Sequence, residues 1–218
     1  MKRALIVSGG WDGHTPLESG EYCRKLLEQE NIVVDMQQSL EAFSNYNELL
    51  KYDLIVPNWT MGKIEQAWVE NVSQAIAAGV GLAGWHGGMC DAFRENTLWQ
   101  FMTGGQFVDH PGGDQAEYRV CYTASAGPLT EGLKDYWLKA EQYYLHVDPA
   151  NEILAVVDFP NGFECANNAN GPVQMPSAWT RRWGGGRVFY TALGHNAAEL
   201  MVPEVTELLR RGLLWAMR

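Results

Sequence analysis

The chain has 218 residues, 46% of them apolar with nine Trp, and a formal charge of −10. That is ample material for one large core, while the negative balance argues against a nucleic-acid or anionic-membrane partner: the only tight basic cluster is Arg181 and Arg182, with Arg187 nearby. No stretch approaches a membrane span, the apolar run over 4–7 stops short of a secretory core of roughly 7–15 residues, and Cys23, Cys90, Cys121 and Cys165 have no C-x-x-C spacing, so reduced thiols in a cytoplasmic protein are expected.

Residues 4–8 read as a buried strand, followed by a polar, glycine-rich loop and a helix over 17–30. This opening lacks G-x-G-x-x-G and the Lys-Ser/Thr pair of a P-loop, which argues against dinucleotide or nucleotide binding. Residues 32–35 form a second strand, 40–51 short helical turns, 52–57 a third strand ending at Asn58 and Trp59, and 65–78 a helix stopping at Gly79. Then a run of small and apolar residues ends in His86, set among Gly84, Gly87 and Gly88. That pattern reads as strand, sharp turn, helix. Flanking glycines are what a strained elbow needs, because its central residue is forced toward positive φ.

Beyond the elbow, 90–94 and 96–102 look helical, and 104–113 is a loop too glycine-rich for either regular state. Residues 118–122 alternate like a strand, 128–133 form a turn region, and 135–139 lead into 141–146. Strands follow at 153–157, 176–182 and 187–192, with a polar loop over 161–172 and a glycine turn at 184–186. An amphipathic helix over 203–217 closes the chain, with Pro203 at its start. The alternation of strands and helices implies a single α/β domain with a doubly wound, mostly parallel sheet, which binds ligands at the carboxyl ends of its strands.

All five histidines, His14, His86, His110, His146 and His195, fall in predicted loops at or beyond strand ends. Parallel strands would bring His14, His86 and His195 to one face, and the long loop could add His110. A divalent metal could use two or three of them with Asp12, Asp109 or Glu141, although the spacing is no zinc signature. Trp11, Trp59 and Trp85 also end predicted strands, where aromatic rings suit the C–H faces of sugars and core packing is the competing role.

At these residues the chain resembles the ThuA-like family, the trehalose-utilisation proteins. The matching pieces are the elbow from Gly84 to Gly88, the Phe-His-Pro elements between Gly104 and Pro111, Pro128 to Leu133, the acidic-x-Tyr element at Glu141 and Tyr143, and the stretch from Arg187 to His195. Departures are the single Glu141 where an Asp-Glu pair is usual, Gly127 in place of His, and Asn196 in place of Asp. The resemblance implies a flavodoxin-like fold of the class I glutamine amidotransferase type and a small-molecule carbohydrate as partner. Amidotransferase chemistry does not follow, because imidazole stands where that reaction needs a thiolate.

The expected site has His86, His195 and Glu141 as catalytic residues moving a proton on a keto-disaccharide, with Trp11, His14, Trp59, Trp85, His110 and Tyr143 around the sugar. A non-catalytic sugar-binding module and a metal-dependent hydrolase are the alternatives. No cofactor is certain beyond that candidate divalent metal, and the oligomeric state is open, a homo-oligomer included.

Overall fold

The computed structural model describes residues 1–124, 127–159 and 171–218. Most of the expected loop over 161–172, with Cys165, lies outside the described residues. In chain order the elements are β1 (Arg3–Gly10), α1 (Pro16–Gln29), β2 (Val33–Gln37), α2 (Tyr46–Leu49), β3 (Leu54–Thr60), α3 (Gln66–Ala77), β4 (Gly81–Trp85) and α4 (His86–Cys90). They continue with α5 (Thr97–Thr103), β5 (Gly105–Asp109), β6 (Glu117–Tyr122), β7 (Tyr136–Lys139), β8 (Tyr144–Val147), β9 (Glu152–Phe159), β10 (Val173–Trp183), β11 (Gly186–Thr191), α6 (Ala197–Leu200) and α7 (Pro203–Ala216).

Nine strands form one sheet in the order β2-β1-β3-β4-β11-β10-β9-β6-β7, and β5 pairs with β8 in a separate ribbon. The first five run parallel, as continuous apolar strands covered on both faces do. Strands β10, β9, β6 and β7 extend them in antiparallel fashion, so that only β10 and β6 oppose the common direction. Helices α1, α6 and α7 touch one another along one face of the sheet, and α2, α3 and α5 along the other. Strand order reverses between β1 and β3. That is the switch point at which doubly wound sheets open a crevice.

Several local rules fix these elements. Pro16 and Pro203 stand in the first turns of α1 and α7, where a missing N–H costs nothing. A Cβ on Gly20 would lie 2.2 Å from Ser8 Oγ, so its absence lets α1 sit close on β1. Asn58, buried at the end of β3, donates to Ser8 Oγ (3.1 Å) and to the Pro16 carbonyl (2.7 Å), joining β1, β3 and the start of α1 at the switch point.

Two expectations are corrected. The stretch 104–113 is not one loop. Gly104, at φ +82°, ends α5 as a left-handed cap, and Gly105–Asp109 then pairs with β8. Here glycine punctuates a strand without preventing it. Nor is 90–94 a helix: α4 begins at His86 and ends at Cys90, and Ala92 already bridges to Met61.

Helix α7 lies close to the sheet because Gly212 has no side chain; a Cβ there would be 2.3 Å from the buried Phe189 ring. Gly212→Ala should therefore lower stability by about 1–3 kcal/mol through overpacking, although alanine favours an isolated helix. Thermal unfolding checks this: a fall of several degrees is expected, and an unchanged or raised midpoint would contradict the close approach.

Candidate functional site

The elbow between β4 and α4 takes the geometry that its glycines suggest. His86 itself has φ +46°, in the left-handed region that a non-glycine residue enters only under constraint. Its neighbours must be small: a Cβ on Gly87 would lie 2.5 Å from the His14 ring, and one on Gly88 3.0 Å from Asn58 Cα. The turn thereby presses the start of α4 against the ends of β1 and β3. Tyr190 secures it by donating to the His86 carbonyl at 3.1 Å.

Three loops and one connector converge here. His14 follows β1, His86 follows β4, His195 follows β11, and Glu141 lies between β7 and β8. One potential ligand atom from each of these four residues lies within 4.8 Å of all the others. Glu141 Oε2 is 3.2 Å from His86 Nε2 and 2.9 Å from His195 Nδ1. The connector is held by Tyr118 Oη, which donates to the Glu141 carbonyl at 3.0 Å, and by Gln142, whose amide donates to the Asp158 carbonyl at 2.9 Å. His14 Nδ1 lies 2.8 Å from Thr60 Oγ1, and the His14 ring centroid is 4.8 Å from that of His86 and 4.9 Å from that of His195. Side-chain exposure rises from 2% at His86 to 12% at His195, so the recess opens on the His195 side.

Charge balance constrains the cluster. Burial pushes the His14 pKa down to about 3, helped by the neighbouring His86 and His195. Burial also lowers His86, against the pull of Glu141. Burial would raise the Glu141 carboxyl, but hydrogen bonds and charge from His195 and His86 outweigh it and hold the group well below the usual carboxylate range. His195 is displaced upward, since Glu141 overcomes its burial. A neutral His86 donates from Nδ1 to the Ala192 carbonyl, 2.8 Å away, and so turns the Nε2 lone pair toward a carboxylate oxygen. Two lone pairs at 3.2 Å repel unless a cation lies between or beside them.

A proton on His195 is one such cation and a divalent metal is another. Imidazole nitrogens held by a carbonyl or hydroxyl on their far side are the usual outer support of metal ligands, as His86–Ala192 and His14–Thr60 provide. Atoms bound to one tetrahedral zinc at about 2.0–2.2 Å lie about 3.3–3.6 Å apart. The observed spread is wider, so an ion would draw the four side chains inward by about 1 Å. An imidazole-rich set suits zinc, iron or nickel and not the all-oxygen preference of magnesium or calcium.

The sequence-predicted residues divide around this cluster. His14, His86, Glu141 and His195 meet. Trp11 is 47% exposed, with its ring 4.8 Å from that of His14 at the mouth. The His110 ring is 5.8 Å from Phe107, which touches Tyr143 at 4.5 Å. Tyr143 is only 3% exposed and stacks on His86 at 3.8 Å, so it backs that ring and leaves no free face for a sugar. Trp85 is 2% exposed: as the last residue of β4 it packs inward, and the expectation of a sugar platform is corrected. Trp59 lies over Gly9, filling the space that a Cβ there would need. His146 is within β8 and exposed, not beyond a strand end. Of the oxygen ligands considered beside Glu141, neither Asp12 nor Asp109 belongs to the cluster. Thr60 and the Ala192 carbonyl were not legible as supports, because their roles depend on which strand ends lie adjacent.

Cys90, four residues past the elbow, is 1% exposed, and burial pushes its thiol up. Among the described residues no helix is long and apolar enough to cross a membrane.

Comparison with known proteins agrees with this fold. A ThuA-like protein of Parabacteroides merdae superposes with a TM-score of 0.79 at 19% identity, covering 99% of this chain and 89% of that one. A cytoplasmic protein of Salmonella typhimurium LT2 gives 0.69 at 16%, covering 100% of both chains. The β-galactosidase of Bacillus circulans gives 0.61 at 15%, covering 99% of this chain but 30% of that one. At such identities the likeness is one of fold. No curated protein matches. The profile of the ThuA family, described as trehalose utilisation, matches residues 3–216. The chain belongs to the ThuA family of trehalose utilisation, which ties it to sugar metabolism.

Proposed function

We propose that this protein is an enzyme acting on a keto-disaccharide or related small carbohydrate, moving a proton at the carbon beside a carbonyl. The observation that carries the reading is the Glu141 carboxylate facing His86 Nε2 and His195 Nδ1 at once. With Glu141 Oε2 2.9 Å from Nδ1, the other nitrogen of His195 would take a proton from the substrate and return it, and the carboxylate would stabilise the imidazolium formed. His195 suits that part because it is the most exposed of the four and its basicity is raised. His86, buried and oriented by the Ala192 carbonyl, stays neutral, as does His14. His14, His86 and Glu141 would hold a divalent metal. When bound, such an ion supplies Lewis-acid polarisation of a carbonyl or hydroxyl oxygen. Trp11 at the mouth offers the apolar face of a sugar a platform, with His110 further out.

The test uses glucose-based disaccharides and their keto derivatives in deuterated buffer. Deuterium should enter the carbon beside the carbonyl with the wild type. His195→Gln should reduce that exchange by about 10²–10⁴-fold while still binding cobalt. His86→Asn should lose cobalt and exchange together. No exchange by metal-loaded wild type across the panel would contradict the enzyme reading. It would favour a sugar-binding module, which the occurrence of this fold as 30% of a β-galactosidase chain also suggests.

The same chemistry excludes glutaminase activity, because the elbow carries imidazole and the Cys90 thiol is sealed and hard to ionise. Purified protein should release no ammonia from glutamine. Release abolished by Cys90→Ala would overturn this.

A further inference from the structure

Thr15 is a non-glycine residue in left-handed conformation, φ +45° and ψ +54°. It is β-branched, the type least tolerant of that region. It follows His14 directly and begins α1. Its hydroxyl does not cap that helix, and reaches across to the loop that bears His195: the Ala197 N–H donates to Thr15 Oγ1 at 2.9 Å over 182 residues of sequence. Thr15 Oγ1 lies 3.2 Å from Ser19 Oγ, and the fully buried Ser19 donates to the His14 carbonyl at 3.2 Å. Since the Ser19 proton goes to that carbonyl, the Thr15 proton goes to Ser19. The chain runs in one direction, from the Ala197 amide through Thr15 and Ser19 to the His14 carbonyl.

We propose that Thr15 is a positioning residue whose hydroxyl clasps the His14 loop to the His195 loop and sets the separation of those two rings. The proposal rests on the reading of the histidine cluster as the working site. A conformation unfavourable for threonine persists where the surroundings over-determine it, and here they do so through two loops that each deliver one histidine. The other end of the His195 loop is fixed separately, by the Ala192 N–H donating to the Ser177 carbonyl at 2.6 Å and the Ala192 carbonyl accepting from His86 at 2.8 Å; its α6 end is also braced internally. His195 N–H donates to Glu199 Oε2 at 3.0 Å, and Asn196 Oδ1 accepts from Glu199 N–H at 3.1 Å. Beside that internal brace, the end of the loop that enters α6 has an external tie. Thr15 supplies that tie. Glycine at 15 would relieve the backbone and lose the hydroxyl; valine would keep the shape and lose the hydroxyl; serine would keep the hydroxyl.

The test compares wild type with Thr15→Ser, Thr15→Val, Thr15→Gly and Ser19→Ala, each verified as folded by near-ultraviolet circular dichroism. The first readout is the nuclear Overhauser contact between the His14 and His195 rings in metal-free protein, whose centroids are 4.9 Å apart. The contact should survive in Thr15→Ser and be lost in the valine and glycine variants, with Ser19→Ala weakened. If valine at a left-handed position prevents folding, the glycine variant decides. The second readout is cobalt affinity, expected to fall by about 10–100-fold in Thr15→Gly, as for lost outer-shell support, and to recover in Thr15→Ser. A ring contact unchanged in Thr15→Gly overturns the clasp whatever cobalt does. A wild type that binds no cobalt, with a ring contact that still depends on Thr15, upholds the clasp and removes the metal from the proposed function.

Discussion

One buried carboxylate oxygen facing two imidazole nitrogens is the constraint on which the site depends. Glu141 cannot stay ionised there without a positive charge in contact, and His86 cannot supply it while burial keeps it neutral and Ala192 takes its Nδ1 proton. The positive charge must come from His195 or from a bound cation. This requirement explains why the residue of highest basicity is the one nearest solvent, and why the third histidine, His14, is buried beside the pair instead of facing outward. Unmet, it would leave opposed lone pairs in a recess that little water reaches.

The fold satisfies the constraint by bringing together two different kinds of sheet. The parallel half delivers His14, His86 and His195 from the ends of β1, β4 and β11, beside the switch point that Asn58 fastens. The antiparallel half delivers Glu141, on a connector of four residues between β7 and β8. Neither half contains the cluster alone. Strand β11 joins them, pairing with β4 on one side and β10 on the other.

What was legible in the sequence follows the same division. In the parallel half, uninterrupted apolar runs and the glycines around His86 mark the strands and the elbow, and the rule for strand ends brings three histidines together without any knowledge of contacts. Glu141 was one of three candidate oxygen ligands beside Asp12 and Asp109, and the resemblance then matched it to the acidic-x-Tyr element, since nothing in its local pattern says where the connector goes. The ribbon of β5 and β8 was missed because glycines at 104 and 105 disguise a cap followed by a strand. Trp85 misled for a simpler reason. In a strand buried on both faces, such as β4, alternation vanishes, and no sequence signal tells whether the last ring turns toward solvent or core. Thr15 was invisible because its partner, Ala197, is brought near only by closure of the whole sheet.

The measurement that bears most directly on this account is the location of a bound ion. Crystals grown with zinc and measured at the zinc absorption edge should show one anomalous peak per chain, within bonding distance of His14, His86 and Glu141, with His195 beside it. A fully loaded crystal with no peak among these residues, or with zinc only on surface carboxylates, would contradict the claim that Glu141 and the buried histidines are arranged around a metal ion, and would leave His195 as the source of the positive charge.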